Sequence, residues 1–201
     1  MMTESKPKRF VVDDQKLPTD FPTHKHAPEF WEALSRTVAT FGFLEEVLGK
    51  AIFAFTATRH ISSEESEEEF KKWLPTLERA LTDPLSSLID SYVRAVQANT
   101  GATITNLDDL VDNLRKASTI RNVLCHGSWR APDERGRSLP LFVNRKKEQF
   151  QTLIDVAFLR QVQKHVTELV CAVMNSVTHV GWQFPGSSGP GLPIWQRPHG
   201  E

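Results

Sequence analysis

Arg121 stands five positions before His126, with Asn122 beside the arginine and Gly127 beside the histidine, in the stretch IRNVLCHGSW at residues 120–129. An imidazole can move a proton near neutral pH, and a guanidinium can hold a phosphate while negative charge builds on it. The pair therefore suits cleavage of an RNA strand by the neighbouring 2′-hydroxyl, with no metal ion and no cofactor. The same residues fit a plainer alternative, a helix that ends with a basic side chain near its last carbonyls and a glycine just beyond. Placement favours chemistry: Arg121 continues the stripe Leu110, Leu114, Ala117 and so starts from the core-facing side of its helix, where a charge needs a partner. Five residues of ideal helix turn about 140°, so Arg121 and His126 diverge unless the helix frays near the glycine or two copies of the motif meet. Asn122 and His126, four apart, share a face, which lets the amide orient the imidazole.

A partner for Arg121 can be read from an earlier segment. The apolar stripe Val38, Phe41, Leu48, Ile52, Phe55 is interrupted by a single polar residue, Glu45. Either this carboxylate reaches solvent at the edge of the stripe, or it points inward and pairs with Arg121. Charge around the motif is uneven although the whole chain has a net charge of only -1. Residues 115–147 hold nine bases against Asp133 and Glu134, giving +7, whereas residues 62–112 hold eleven acids against four bases. The basic side chains after the motif, Arg130, Arg135, Arg137, Arg145, Lys146 and Lys147, are candidates for RNA binding, with a solvated hairpin as the alternative. Trp129 could stack a base, or it could belong to the core.

Other chemistries lack their residues. There is no glycine-rich phosphate loop, no GxSxG and no HExxH. His24 and His26 lie in a proline-flanked arm, Cys125 and His126 are adjacent rather than at zinc-finger spacing, and no metal site is expected. Cys125 and Cys171 read as free thiols, so a reducing, cytoplasmic setting is expected. The first ten residues, MMTESKPKRF, lack the apolar stretch of a signal peptide, and no uncharged apolar run approaches the ~20 residues of a membrane span.

These side chains must be positioned by helices. Residues 1–27, with Pro7, Pro18 and Pro22, read as an extended or flexible arm. Pro28 suits a first helical position, and the Glu45 stripe marks a helix to about Thr56. Ser62 and Ser63 precede an acidic first turn of a second helix with Leu74, Leu77 and Leu81 on its apolar face. Asp83-Pro84 starts a third, through Leu85, Leu88, Ile89, Tyr92, Val93 and Val96. Asn106 with Asp109 caps a fourth, which Gly127 ends. SWR and LFVN flank the polar APDERGRSLP as an irregular two-stranded hairpin. Leu153, Val156, Leu159, Val162, Val166, Leu169, Val170 and Val173 define a last helix over about 152–176. The tail, residues 179–201, packs five glycines and four prolines into positions 181–200 and reads as extended or flexible. The expectation is an all-α, mostly antiparallel bundle of four to five helices over residues 28–178, with a small β insertion before the last helix.

A bundle whose late helix carries R-N-x-x-x-H resembles the HEPN superfamily (higher eukaryotes and prokaryotes nucleotide-binding), whose ribonuclease members bear R-x(4–6)-H, often with a polar residue after the arginine. Arg121, Asn122, Val123, Leu124, Cys125 and His126 match it at the shortest spacing. The resemblance spans roughly residues 30–178 as a fold. It implies a homodimer that brings two motifs into one cleft, metal-independent endoribonuclease activity, and a role in a toxin–antitoxin pair or in phage defence, with an antitoxin or another protein as a further partner. It assigns proton transfer to His126, the phosphate to Arg121 and the shaping of the site to Asn122. Glu45 belongs to no family motif and enters as a supporting residue. Other family members bind nucleotides or serve as interaction modules, which is the alternative to catalysis.

Overall fold

The computed structural model describes residues 10–58, 71, 74–75, 78–80, 82–102 and 104–187. Most of these are helical: α1 (Pro28–Ala57), α2 (Leu85–Ala98), α3 (Leu107–His126) and α4 (Val156–Thr178). Between α3 and α4 lies a two-stranded antiparallel sheet of β1 (Ser128–Trp129) and β2 (Pro140–Leu141). No described helix is long and apolar enough to cross a membrane.

Helix α1 is the hub, in contact with α2, α3 and, most extensively, α4. Its stripe Phe41, Leu44, Leu48, Ile52, Phe55 is almost completely removed from water and meets Leu88, Ile89 and Tyr92 of α2, Leu114 of α3 and Leu159, Val166 and Val173 of α4 in one core. Burying each large aliphatic or aromatic side chain contributes about 1.5–3 kcal/mol. Polar groups inside this core are matched to one another. The Tyr92 hydroxyl donates to Ser176 Oγ at 2.7 Å, the Thr37 hydroxyl reaches Leu159 O at 3.2 Å, and Asn99 Nδ2 donates to Phe55 O at 2.8 Å. Each joins two segments at a fixed register, because the unpaired alternative is a buried polar group. Burial raises the Tyr92 pKa above its ordinary value, against the opposing effect of the Ser176 bond.

The helix ends depart from their sequence signals in instructive ways. Pro28 does occupy the first position of α1. Helix α2 begins one residue after Pro84, and no side chain caps it. Asn106 stands at the start of α3 with a left-handed backbone, φ 63°, and its side chain caps nothing. The last helix starts at Val156, not 152, because the Asp155 carboxylate accepts the Phe158 N–H at 2.8 Å and residues 149–154 pair with the hairpin. Leu153, expected on the helical stripe, is therefore 40% exposed on an extended segment. Asp155→Ala is expected to cost about 1 kcal/mol, read as a lowered urea midpoint with an unchanged slope.

Residues 71, 74–75, 78–80 and 82 are helical, with Ala80 buried and Leu74 exposed, while the cap expected at Ser62–Ser63 and the apolar Leu77 and Leu81 lie outside the described residues. The start of the tail, expected to be extended or flexible, is irregular chain packed on the core, and residues 188–201 lie outside the described residues. Phe184 is buried and Trp182 meets the Phe55 ring edge-on at 5.6 Å, so two large aromatics hold residues 182–184 on the core.

Candidate functional site

Helix α3 sets the site. Its buried face runs Val111, Leu114, Ala117, Ser118, and Arg121 lies four residues beyond Ala117 and three beyond Ser118, so it emerges at the margin of that face. There it meets Glu45 of α1, which sits between the buried Leu44 and Val47. One guanidinium nitrogen lies 3.2 Å from Glu45 Oε1, and the two side chains are 26% and 27% exposed. The distance makes an ion pair, yet no N–H points at Oε1 well enough for a hydrogen bond, although that oxygen is shielded from water. Arg121 is thus held by charge rather than locked by a directed bond, and its half-buried head keeps an outward-facing part.

The helix is continuous through His126, so it does not turn the histidine towards the arginine; the two directions differ by about 140°. His126 is exposed, and Asn122, on the same face one turn earlier, is half-buried. Gly127 caps the helix through its N–H to Val123 O at 2.8 Å. Its backbone is ordinary extended chain, φ -70° and ψ 137°, not the left-handed conformation common where a glycine follows a helix. Space demands the glycine. A Cβ there lies 2.6 Å from Val123 O and 2.8 Å from Pro140 Cβ. The hairpin strand β2 is packed against the end of the motif helix.

The basic side chains fan out from this point. Arg130, Arg135, Arg145, Lys146 and Lys147 are exposed and form no ion pair among the described residues. Arg137 differs, because its guanidinium bonds Asp133 at 2.9 Å. The Arg137 backbone N–H, and then its side chain, hold the Asp133 carboxyl below the usual carboxylate range. The first-turn acids Asp108 and Asp109 sit at the opposite end of α3, about 27 Å from His126 at 1.5 Å per residue. Acidic and basic regions are thus separated along this helix.

Trp129 does not stand free as a stacking platform. It packs edge-on against Phe30 at 5.0 Å and against Trp31 at 6.5 Å. To this cluster the arm adds His26, stacked on Phe30 at 4.6 Å, a position read from the sequence only as part of His24-x-His26. The signal was the aromatic pair Phe30-Trp31 just after it. Both imidazole nitrogens of His26 are shielded from water and unpartnered, and desolvation lowers the pKa below its ordinary value. Folded His26 therefore takes up its proton at a lower pH than the unfolded chain does. Its contribution to stability is intact above about pH 6.5 and is lost as the pH falls below that value. The slope of unfolding free energy between pH 7.5 and 5.5 is expected to flatten in His26→Phe.

Beside the motif, Thr23, Trp31, Leu34, Val38, Leu124 and Cys125 line an open groove of about 910 Å³. Glu45 also lines a separate cleft of about 660 Å³ with Glu46, Lys50 and Asp83. No group of three or more metal-ligating side chains occurs among the described residues. Comparison with protein-family models, with curated proteins and with solved structures finds no match to this chain.

Proposed function

We propose that this chain is a HEPN-like, metal-independent endoribonuclease of toxin or phage-defence type that works as a cytoplasmic homodimer. The observation that carries the reading is the placement of the motif. Arg121 is held by Glu45 at the margin of the core, and His126 is exposed at the last turn of the same helix, directly before a hairpin rich in unpaired bases. An unbroken helix sends the two side chains apart, so the working site takes Arg121 from one copy and His126 from the other.

In such a site an imidazole removes the proton of the ribose 2′-hydroxyl, whose oxygen attacks the adjacent phosphorus. The bond from phosphorus to the 5′-oxygen breaks, and the same imidazole, now protonated, passes its proton to this leaving oxygen. Arg121 faces the phosphate as charge accumulates on its oxygens, and Asn122 shapes the approach to His126. Glu45 positions the guanidinium. Arg130, Arg135, Arg145, Lys146 and Lys147 attract the strand, with Arg137 engaged by Asp133.

The ion pair also favours a second reading. A guanidinium already neutralised by Glu45 suits a non-catalytic module that binds a nucleotide, a nucleic acid or a protein such as an antitoxin. One assay separates the two: incubation of mixed RNAs with a chelator, comparing the natural protein with His126→Ala and Arg121→Ala. Chelator-resistant cleavage lost in both variants supports the ribonuclease. RNA retained on the protein without cleavage supports the binding module, and equal cleavage by all three proteins overturns the site.

A further inference from the structure

The arm of this chain and the outer edge of its hairpin each expose what the other lacks. Phe10, Val11 and Val12 form a strand-forming apolar run that is 88%, 94% and 77% exposed, and every residue from 10 to 22 is exposed. Among its described residues, 10–27, the arm is fastened at its far end, where Trp31 Nε1 donates to Thr23 O at 3.1 Å and His26 stacks on Phe30.

The hairpin region has three antiparallel stretches. β1 pairs with β2, while Ser138 and Val143 pair on the other side with Ile154 and Gln149. Residues 149–154 therefore form an edge. Phe150 N donates inward to Phe142 O at 3.0 Å and Ile154 N to Ser138 O at 2.8 Å. Alternation then turns the backbone groups of Gln151 and Leu153 outward, and neither has a hydrogen-bond partner among the described residues. The exposed face of these stretches carries Leu141, Val143 and Leu153, at 42%, 54% and 40%. An uncovered edge beside apolar side chains is a template for another strand.

We propose that the arm of one copy adds to this edge in a second copy, antiparallel, with Phe10 beside Leu153 and Val12 beside Gln151. In that register Phe10 and Val12 fall on the face of Leu141, Val143 and Leu153. Charge favours one direction. Running antiparallel carries Asp14, and Asp13 with its partner Lys16 at 3.0 Å, towards a turn that holds three exposed bases, Arg145, Lys146 and Lys147, and one acid, Glu148, whereas the parallel arrangement carries them towards Asp155. The second copy is the occupant because the chain's own arm leaves residues 10–12 uncovered, and a two-fold exchange covers both arms and both edges at once. The contact lies outside Arg121 and His126 and its argument does not depend on ribonuclease activity, although it engages Arg145, Lys146 and Lys147, to which the proposed function also gives RNA.

The test uses full-length protein. Sedimentation equilibrium of Phe10→Ser/Val12→Asp is expected to show dimer dissociation shifted by at least about tenfold, while at dilutions where both proteins are monomeric their melting temperatures agree, because in the single chain both side chains are exposed. In a background of Cys125→Ser and Cys171→Ser, a mixture of Val12→Cys chains and Gln151→Cys chains is expected to give a disulfide-linked dimer under mild oxidant. The proposal is overturned if the natural protein is monomeric, if the arm substitutions leave the dimer intact, or if only the doubly substituted chain cross-links, within itself. A dimer that needs its arms and cleaves no RNA sinks the ribonuclease reading and leaves this one standing. Cleavage by a dimer indifferent to its arms does the reverse.

Discussion

Gly127→Ala is expected to lower the stability of the fold by about 2–3 kcal/mol, seen as an earlier urea midpoint, although the substitution adds one methyl group. At φ -70° an alanine meets no backbone objection, so the usual account of a helix-ending glycine does not apply. The cost comes from two hard contacts, 2.6 Å to a carbonyl oxygen of the same helix and 2.8 Å to Pro140 on the strand packed against it. Neither neighbour is the loose end of a flexible side chain. Pro140→Gly in the same chain removes only the second contact, so it should recover part of the loss. Full recovery would show that the carbonyl can move and that the helix end is softer than its geometry suggests. Relief of the clash separates the hairpin from the motif helix, so RNA cleavage should fall even where the folded state survives.

His126→Ala and Arg121→Ala are each expected to reduce cleavage about 10²–10⁴-fold, the range for loss of a proton-transfer group or of a charge-stabilising contact. They should differ in stability. His126 is exposed, and its removal should shift unfolding by less than about 0.5 kcal/mol. Arg121→Ala leaves Glu45 Oε1 shielded from water beside no cation, so it should destabilise the fold as well. Mixing the two inactive variants tests the shared site. Where each site draws its arginine from one copy and its histidine from the other, half of the dimers are mixed and each holds one intact site. Activity then returns to about a quarter of the natural level on symmetry grounds. A mixture as inactive as its components would place both residues of a site in one chain, against the course of the helix.

The helical part of the fold was readable because periodicity and burial report the same physics. The stripe of α1 and its single polar interruption can be counted from the residues, and Glu45 does meet Arg121. The expected start of the last helix lies too early because Leu153 and Val156 are three apart, a step that satisfies a helical period as well as a strand passing into a helix. Only the pairing of Ile154 with Ser138, sixteen residues away, decides between them. Gly127 was placed correctly for a reason that no local pattern contains, the approach of Pro140. His26 and the packed Trp182 and Phe184 lay in segments rich in proline and glycine, where composition hides long-range contacts. How Arg121 and His126 combine stayed open for a geometric reason: one helix cannot aim both, and a second copy leaves no trace in the spacing.

The aromatic cluster at the base of the hairpin also gives the molecule an optical gauge. Trp31 belongs to the long central helix and Trp129 to the first strand after the motif, and their rings lie 6.5 Å apart at 85°. Two indoles so close and so nearly crossed couple their electronic transitions, which gives them a circular-dichroism signature that neither has separately. The signal depends on the hairpin, with its basic side chains, being seated against α1. Seating of the strand beside the motif can thus be followed in unlabelled protein, without RNA and without turnover.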